Sequence, residues 1–409
     1  MCAQHTDNNK YKEKTIMKKT LALLLCLGLF CTLFAGCGGA KGGEANGDVI
    51  YIGVFEPASG DNGAGGKQET LGIQYANSVQ PTVTVGGKEY KVELKIVDNE
   101  SADDKAPSAA AELVGAGCSV VLGSYGSSVS RAGGPTFEAA NVPVIGVTCT
   151  NPAVTEGNKY YFRICFLDPF QGTVLANYAL NELKVDKAYC LNKLGDDYSG
   201  GLVNYFIEAF EAAGGEVVHE EFPDGNMDFT SYVAKAKAEG CGVFFSPVST
   251  EAAQLIIDQA VAQGVDFPLL AGDTWDSNVI LQAAAGKDVN ITVTTFYPEG
   301  AKPEFDNGFK AWLNANSTML ANNGGDDTVA AVSAMGYDAY FVALEAIKKA
   351  GDTDSAKVME ALWNTTFEGV SGPIAFDAVN GDAVRTTAYV KHANTETGAW
   401  DALPAVTVG

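Results

Sequence analysis

From residue 49 onward, short β-branched apolar runs alternate with longer stretches whose apolar residues recur every three or four positions. Runs of the first kind predict buried strands, and the 3.6-residue period of the second predicts amphipathic helices. The expected strands are 49–55, 92–97, 120–122 and 144–147, separated by helices over 67–78, 103–114 and 130–140. Strand and helix in strict alternation mean crossover connections, which only parallel strands need. One exception stands out, the Gly86-Gly87 pair between 82–85 and 90–97, which reads as a hairpin turn.

The alternation restarts after Asp168, with helices over 169–183, 199–213, 229–238 and 251–263 and strands at 188–191, 216–219 and 243–245. Two βαβ series in succession predict an α/β protein with two doubly wound parallel-sheet lobes. Beyond Thr294 the pattern turns helical over 303–316, 329–350 and 355–363. Residues 374–376, an Asn380-Gly381 turn and 386–392 then read as a terminal hairpin region.

The beginning of the chain has a different character. Met17-Lys18-Lys19 precedes an apolar run over 21–34, a basic segment and core of signal-peptide proportions. The run falls short of the ~20 apolar residues a spanning helix needs, and its exit is glycine rather than basic; an uncleaved anchor helix is the alternative. Leu33-Phe34-Ala35-Gly36-Cys37 resembles the lipobox of bacterial lipoproteins, with Phe34 where leucine is usual. Residues 1–36 are thus expected to be a signal peptide, with Met17 as its start, Cys37 to carry lipid, and the glycine-rich 37–47 to form a tether. Two or more acyl chains would hold the protein stably at a membrane.

Composition narrows the class. The 409 residues are 46% hydrophobic and only 19% charged, enough to bury the cores of two folded units. Fifty acidic against 27 basic residues give a net charge of −23, which repels phosphate backbones, so no nucleic acid is expected as partner. Of nine cysteines, Cys118, Cys149, Cys165, Cys190 and Cys241 lie beyond the tether, widely spaced and mostly in apolar runs. That spacing suits neither zinc nor redox chemistry; at most two disulfides would fit, none is demanded, and no cofactor or metal is expected.

Ligands of open α/β sheets bind at the carboxyl ends of the strands. There the chain places Tyr125 with Ser127 and Ser128, and then Thr148, Thr150 and Pro152. Freed N–H groups at a helix N-terminus seat a carboxylate, although Ser127 or Ser128 could equally be a plain cap. In the second series Asp196-Asp197-Tyr198 and Asp273-Thr274-Trp275-Asp276 offer aromatics beside carboxylates, a mixture suited to a zwitterion with an apolar side chain. Exposed loop acids are the plainer reading.

Together, IGVFEPASGDNGAGG (52–66), VELKIVDNESADDKA (92–106), VVLGSYGSSVSRAGGP (120–135), NVPVIGVTCTNPAVTEG (141–157), FRICFLDPFQG (162–172) and GPIAFDAVNGD (372–382) resemble the branched-chain amino acid binding proteins of bacterial ABC importers. The resemblance implies the type I periplasmic binding protein fold: two lobes on a three-strand hinge that close like a flytrap. Lobe one would comprise 48–167 plus 300–375, and lobe two 168–299 plus 376–409. By the same resemblance Ser127, Thr150 and the Thr148 carbonyl would hold the ligand's carboxylate and ammonium region, Tyr198 would close over it, and Asp273 would take the ammonium. Family aromatics fall here at about Gly65 and Val248, so Tyr125, Trp275 and Phe170 are expected as replacement walls.

The residues and the resemblance together imply a lipid-anchored binding subunit outside the cytoplasm, handing a small amino acid, branched-chain above all, to a membrane permease and its ATPase. A sensor for amides or other small ligands on the same fold is the alternative, and an exported hydrolase a remoter one. Against an enzyme, only His219 and His392 remain beyond the signal segment, with no nucleophile elbow, zinc-binding helix or P-loop.

Overall fold

The computed structural model describes residues 48–407; the expected signal peptide, Cys37 and the tether lie outside the described residues. Strands β1 (Val49–Glu56), β2 (Thr82–Val85), β3 (Lys88–Asp98), β4 (Val120–Gly123), β5 (Val144–Gly146) and β6 (Tyr161–Arg163) form one sheet in the order β2-β3-β1-β4-β5-β6. Neighbours are parallel except β2, which folds back on β3 through Gly86 and Gly87 at φ of 58° and 85°. Two consecutive left-handed residues match the twist of a tight hairpin, and glycine takes that conformation without a Cβ penalty. The run 92–97, expected to be buried, is only partly so: Ile96 is 45% exposed because β3 has only the short β2 beyond it.

Strands β7 (Lys187–Lys193), β8 (Glu216–Phe222), β9 (Val243–Phe245), β10 (Leu269–Ala271) and β11 (Ile291–Thr295) build the parallel part of a second sheet. The terminal region departs from expectation. Strands β12 (Thr366–Gly369) and β13 (Gly372–Ala375) pair only with each other, while β14 (Thr387–Asn394), β15 (Ala399–Ala402) and β16 (Val406–Thr407) join the second sheet, β14 lying antiparallel on β11. The Asp338 carboxylate accounts for the β12–β13 part, since it accepts from the N–H groups of Val370 and Ser371 and so holds that turn. The Asn380-Gly381 turn is closed by a single bridge between Phe376 and Ala383.

Helices α1 (Gly63–Val79), α2 (Ala106–Gly115) and α3 (Ser127–Ala139) cover the first sheet; α4 (Asp168–Asn181), α5 (Asp197–Ala212), α6 (Thr230–Ala238), α7 (Thr250–Ala262) and α8 (Asn278–Ala284) accompany the second. The chain then returns to the first lobe for α9 (Pro303–Asn314), α10 (Ser317–Asn322), α11 (Ala331–Ala350) and α12 (Ser355–Leu362), whose Phe309, Ala339, Leu344 and Leu362 share a core with Ile50, Ile52 and Val54 of β1. Helices α1 and α11 approach so closely that a Cβ on Gly72 would stand 1.9 Å from the Ser333 carbonyl oxygen. Two α/β lobes result, with the chain passing between them three times.

Two buried ion pairs brace the molecule, one of them at a crossing. Arg163, fully buried at the end of β6, donates to Asp382 Oδ1 from Nε at 2.9 Å and from Nη2 at 2.7 Å, and to the Cys149 carbonyl at 2.8 Å. One guanidinium thereby fixes the loop after β5 to the last crossing. Lys391 on β14 holds Asp276 at 2.8 and 3.0 Å in the second lobe. Cys118, Cys149, Cys165, Cys190 and Cys241 are all free and buried.

Candidate functional site

The carboxyl ends of both sheets face one another across a cleft, and the lobes are shut on it. Gln68 of α1 donates to Asn278 Oδ1 at 2.9 Å and accepts from Ser277 at 3.0 Å. Arg131 of α3 reaches Asp197 at 2.6 Å, the Asp197 N–H donates to Ser128 Oγ at 2.9 Å, and Tyr125 OH donates to the Thr274 carbonyl at 3.3 Å. A cavity of about 550 Å³ remains inside, lined by Tyr125, Ser127, Thr148, Tyr198, Asp273 and Thr274 among others.

On the first lobe the cavity meets the N-terminus of α3. Gly126 occupies the cap position and no side chain caps it, so neither Ser127 nor Ser128 plays the capping role open to it in the sequence. The first helical bond runs from the Ser130 N–H to the Gly126 carbonyl, which leaves the N–H groups of Ser127, Ser128 and Val129 without a partner among the described residues. Such a terminus carries partial positive charge and unspent donors. It suits a carboxylate.

The second lobe supplies the opposite sign. Asp273 opens a short 3-10 turn after β10, is 2% exposed, and lines the cavity. Its Oδ1 accepts from Gln171 Nε2 at 2.7 Å and from Tyr198 OH at 2.9 Å, while Thr294 steadies Gln171 at 3.0 Å. No hydrogen bond reaches its Oδ2 from the described residues. Burial pushes the Asp273 carboxyl up to about 7, with the Tyr198 bond pulling the other way. A buried carboxylate with one oxygen spare is a seat for a cation. Asp276, by contrast, is committed to Lys391.

Two further acids lie behind the wall. Glu56 ends β1 and accepts from the Tyr125 N–H at 2.7 Å, and Glu69 of α1 accepts from the Thr148 hydroxyl. Both are fully enclosed, and each keeps one oxygen without a hydrogen-bond partner. Burial raises Glu69 to about 7 and raises Glu56 well above its usual range, the Glu69 charge adding to the shift. Neighbouring buried carboxyls relieve each other by holding one proton between them.

The structure brings Tyr125, Ser127, Thr148, Tyr198 and Asp273 to one cavity. It places Thr150 beside it, fully buried, with its hydroxyl unbonded near the equally unbonded Asp168 carboxyl. Trp275 is packed in the second lobe's core, its indole N–H donated to the Val248 carbonyl at 3.0 Å, and Phe170 packs on Phe166; neither lines the cavity. Tyr125 occupies the space beside Gly65, where a Cβ would come within 2.4 Å of its ring. Sequence reasoning missed Gln68, Glu56 and Glu69. The signal was available: 65, 68, 69, 72, 73 and 76 form one helical stripe, all buried, which carries Gln68 and Glu69 inward. Among the described residues no group of His, Cys, Asp and Glu could hold a metal ion.

A family model described as periplasmic binding protein matches residues 49–397. The chain is similar to Leu/Ile/Val-binding protein homolog 2 of Brucella abortus, at 29% identity over 88% of this chain and 93% of that one. Among solved structures it resembles a leucine binding protein from Thermotoga maritima, with a TM-score of 0.76, 31% identity, and coverage of 88% of this chain and 99% of the other. The branched-chain amino acid transporter substrate binding protein of Streptococcus pneumoniae, in complex with isoleucine, superposes with a TM-score of 0.75 at 26% identity, covering 88% of this chain and 99% of that one.

Proposed function

The chain belongs to the periplasmic binding protein family, whose members here bind substrates rather than transform them, and on that premise we propose that it captures a small amino acid, branched-chain above all, for an ABC importer. The single observation that carries the reading is the pairing across the cleft of unspent N–H donors at the start of α3 with the buried Asp273 carboxylate. A carboxylate and an ammonium on one small ligand answer that pair, and Tyr125, Val129 and Val248 supply apolar wall. Tyr198 closes over the ligand, while Thr148 lines the floor and Thr150 packs behind it. Affinity then comes from differential binding to the closed form, in which a ligand bridges lobes that part without it.

The domain division follows from the same reading: 48–167 plus 300–375 as lobe one, 168–299 plus 376–409 as lobe two. A lipid on Cys37 would hold the protein outside the cytoplasm beside a permease and ATPase that accept the ligand when the lobes open. The test is a thermal-shift and calorimetric screen of the purified protein against the twenty amino acids and simple amides. A ligand at a thousand times its Kd should add about 4 kcal/mol of stability. A shift with leucine, isoleucine or valine supports the narrow reading, whereas a shift with amides alone replaces the substrate. Cys37→Ala should release the protein from membranes.

A further inference from the structure

Seven of the residues lining the cleft cavity are acidic, and only one, Lys193, is basic. Lys193 ends β7 on the second lobe, with its backbone N–H donated to Ser199 Oγ at 3.2 Å. Its ammonium lies 2.6 Å from Asp224 Oδ1, on the same lobe, and 2.8 Å from Asp61 Oδ2, on the loop that precedes α1 of the other lobe. The side chain is 27% exposed. A second, smaller cavity of about 150 Å³ lies beyond it, with Met227 and Leu255 in its wall. Asp61, Lys193, Phe222 and Ser249 line both cavities, so these four side chains make the partition between them.

We propose that Lys193 is a specificity-determining residue: its stem is the end wall that limits ligand length, and its ammonium, bound to Asp61 across the cleft, latches the lobes over the ligand. The inference rests on the reading of the cleft as a small-molecule site. Two physical roles are separable, because bulk makes the wall and charge makes the latch. The latch pair is partly solvated, so its loss is a modest effect, about two- to fivefold in rate, and salt screens it.

The experiment compares Lys193→Met, Lys193→Ala, Asp61→Asn and Asp224→Asn with the unaltered protein. Binding of alanine, leucine, methionine and the dipeptide glycyl-leucine is followed by calorimetry and stopped-flow at low and high salt. Lys193→Met and Asp61→Asn should speed dissociation about two- to fivefold at low salt and reduce its salt dependence to the part carried by the Arg131–Asp197 pair. Asp224→Asn should change little, since that contact does not cross the cleft. Lys193→Ala should in addition shift preference toward the longer probes, which Lys193→Met should not. Equal dissociation in all variants, equal effects of Asp61→Asn and Asp224→Asn, or a Lys193→Ala length profile identical to that of Lys193→Met overturns the proposal.

Should none of the probes bind the unaltered protein, the cleft reading fails rather than the latch. The latch is then decided by small-angle scattering of the ligand-free protein. Lys193→Met and Asp61→Asn should populate a more open form than Asp224→Asn, and identical profiles refute it.

Discussion

Replacing Asp273 by asparagine should make the empty protein more stable and the loaded one less so. Burial holds the Asp273 carboxyl at about 7 against an ordinary 3.8. The folded state therefore grips the proton more tightly than the unfolded chain does. The stabilisation this gives is whole below the unfolded value and is lost as pH climbs toward 7. About three pKa steps at ~1.4 kcal/mol each put the loss above pH 7 at about 4 kcal/mol. Asparagine abolishes that loss while its amide oxygen still accepts from Gln171 and Tyr198, so ligand-free Asp273→Asn should melt several degrees higher at pH 8 and little differently at pH 4. Binding moves the opposite way. An ammonium left facing a neutral amide in a closed cleft loses about 3–5 kcal/mol, or about two to three and a half orders of magnitude in Kd. In the unaltered protein Kd should also rise as pH falls below 7, because protonating Asp273 competes with the ligand; the variant should lose most of that dependence. Thermal melts and calorimetry at pH 5, 7 and 8 read all of this. A variant that melts lower and binds as before would refute the reasoning at its root.

Asp382→Asn strips the buried Arg163 guanidinium of its counter-charge and should lower stability by about 3–5 kcal/mol, seen as a fall in urea midpoint with unchanged slope. Gly72→Ala forces a methyl onto the Ser333 carbonyl and should cost about 3 kcal/mol, whereas Gly115→Ala at the end of α2, where nothing lies within 4 Å, should be neutral or better. Burial pushes the Cys118 thiol up to about 12 and Cys149 up to about 11, so a thiol reagent at pH 8 should find none of the five buried cysteines reactive until denaturant is added.

The alternation of strand and helix was legible over most of residues 49–263, because helices of nine or more residues and strands sealed on both faces write their period plainly. The strands β6, β10 and β11 and the helix α8 were not. Tyr161–Arg163 and Leu269–Ala271 offer three residues each, too few to show a period, and take their places by pairing with β5 and β9. The β12–β13 hairpin depends on Asp338, which stands more than thirty positions away and signals nothing locally. At the site, Ser127, Tyr198 and Asp273 follow from their position after strands. Trp275 shows the limit of that logic, since a loop's location does not tell which of its side chains turns inward to the core. Asp273 and Asp276 separate only once Lys391 is known to claim the latter.

The contact between α1 and α11 carries a consequence for how the molecule comes into being. A chain made from its N-terminus has completed every strand of the first sheet long before Ser333 exists to receive Gly72. On one face of that sheet only α1, through Leu71, Ile73 and Ala76, is in place until α9, α11 and α12 arrive, and closing so long a loop is slow. The first lobe's core should thus stay incomplete until the late helices have been made. In a periplasmic binding protein, whose family name places it beyond a membrane, such a delay would favour crossing before folding is complete.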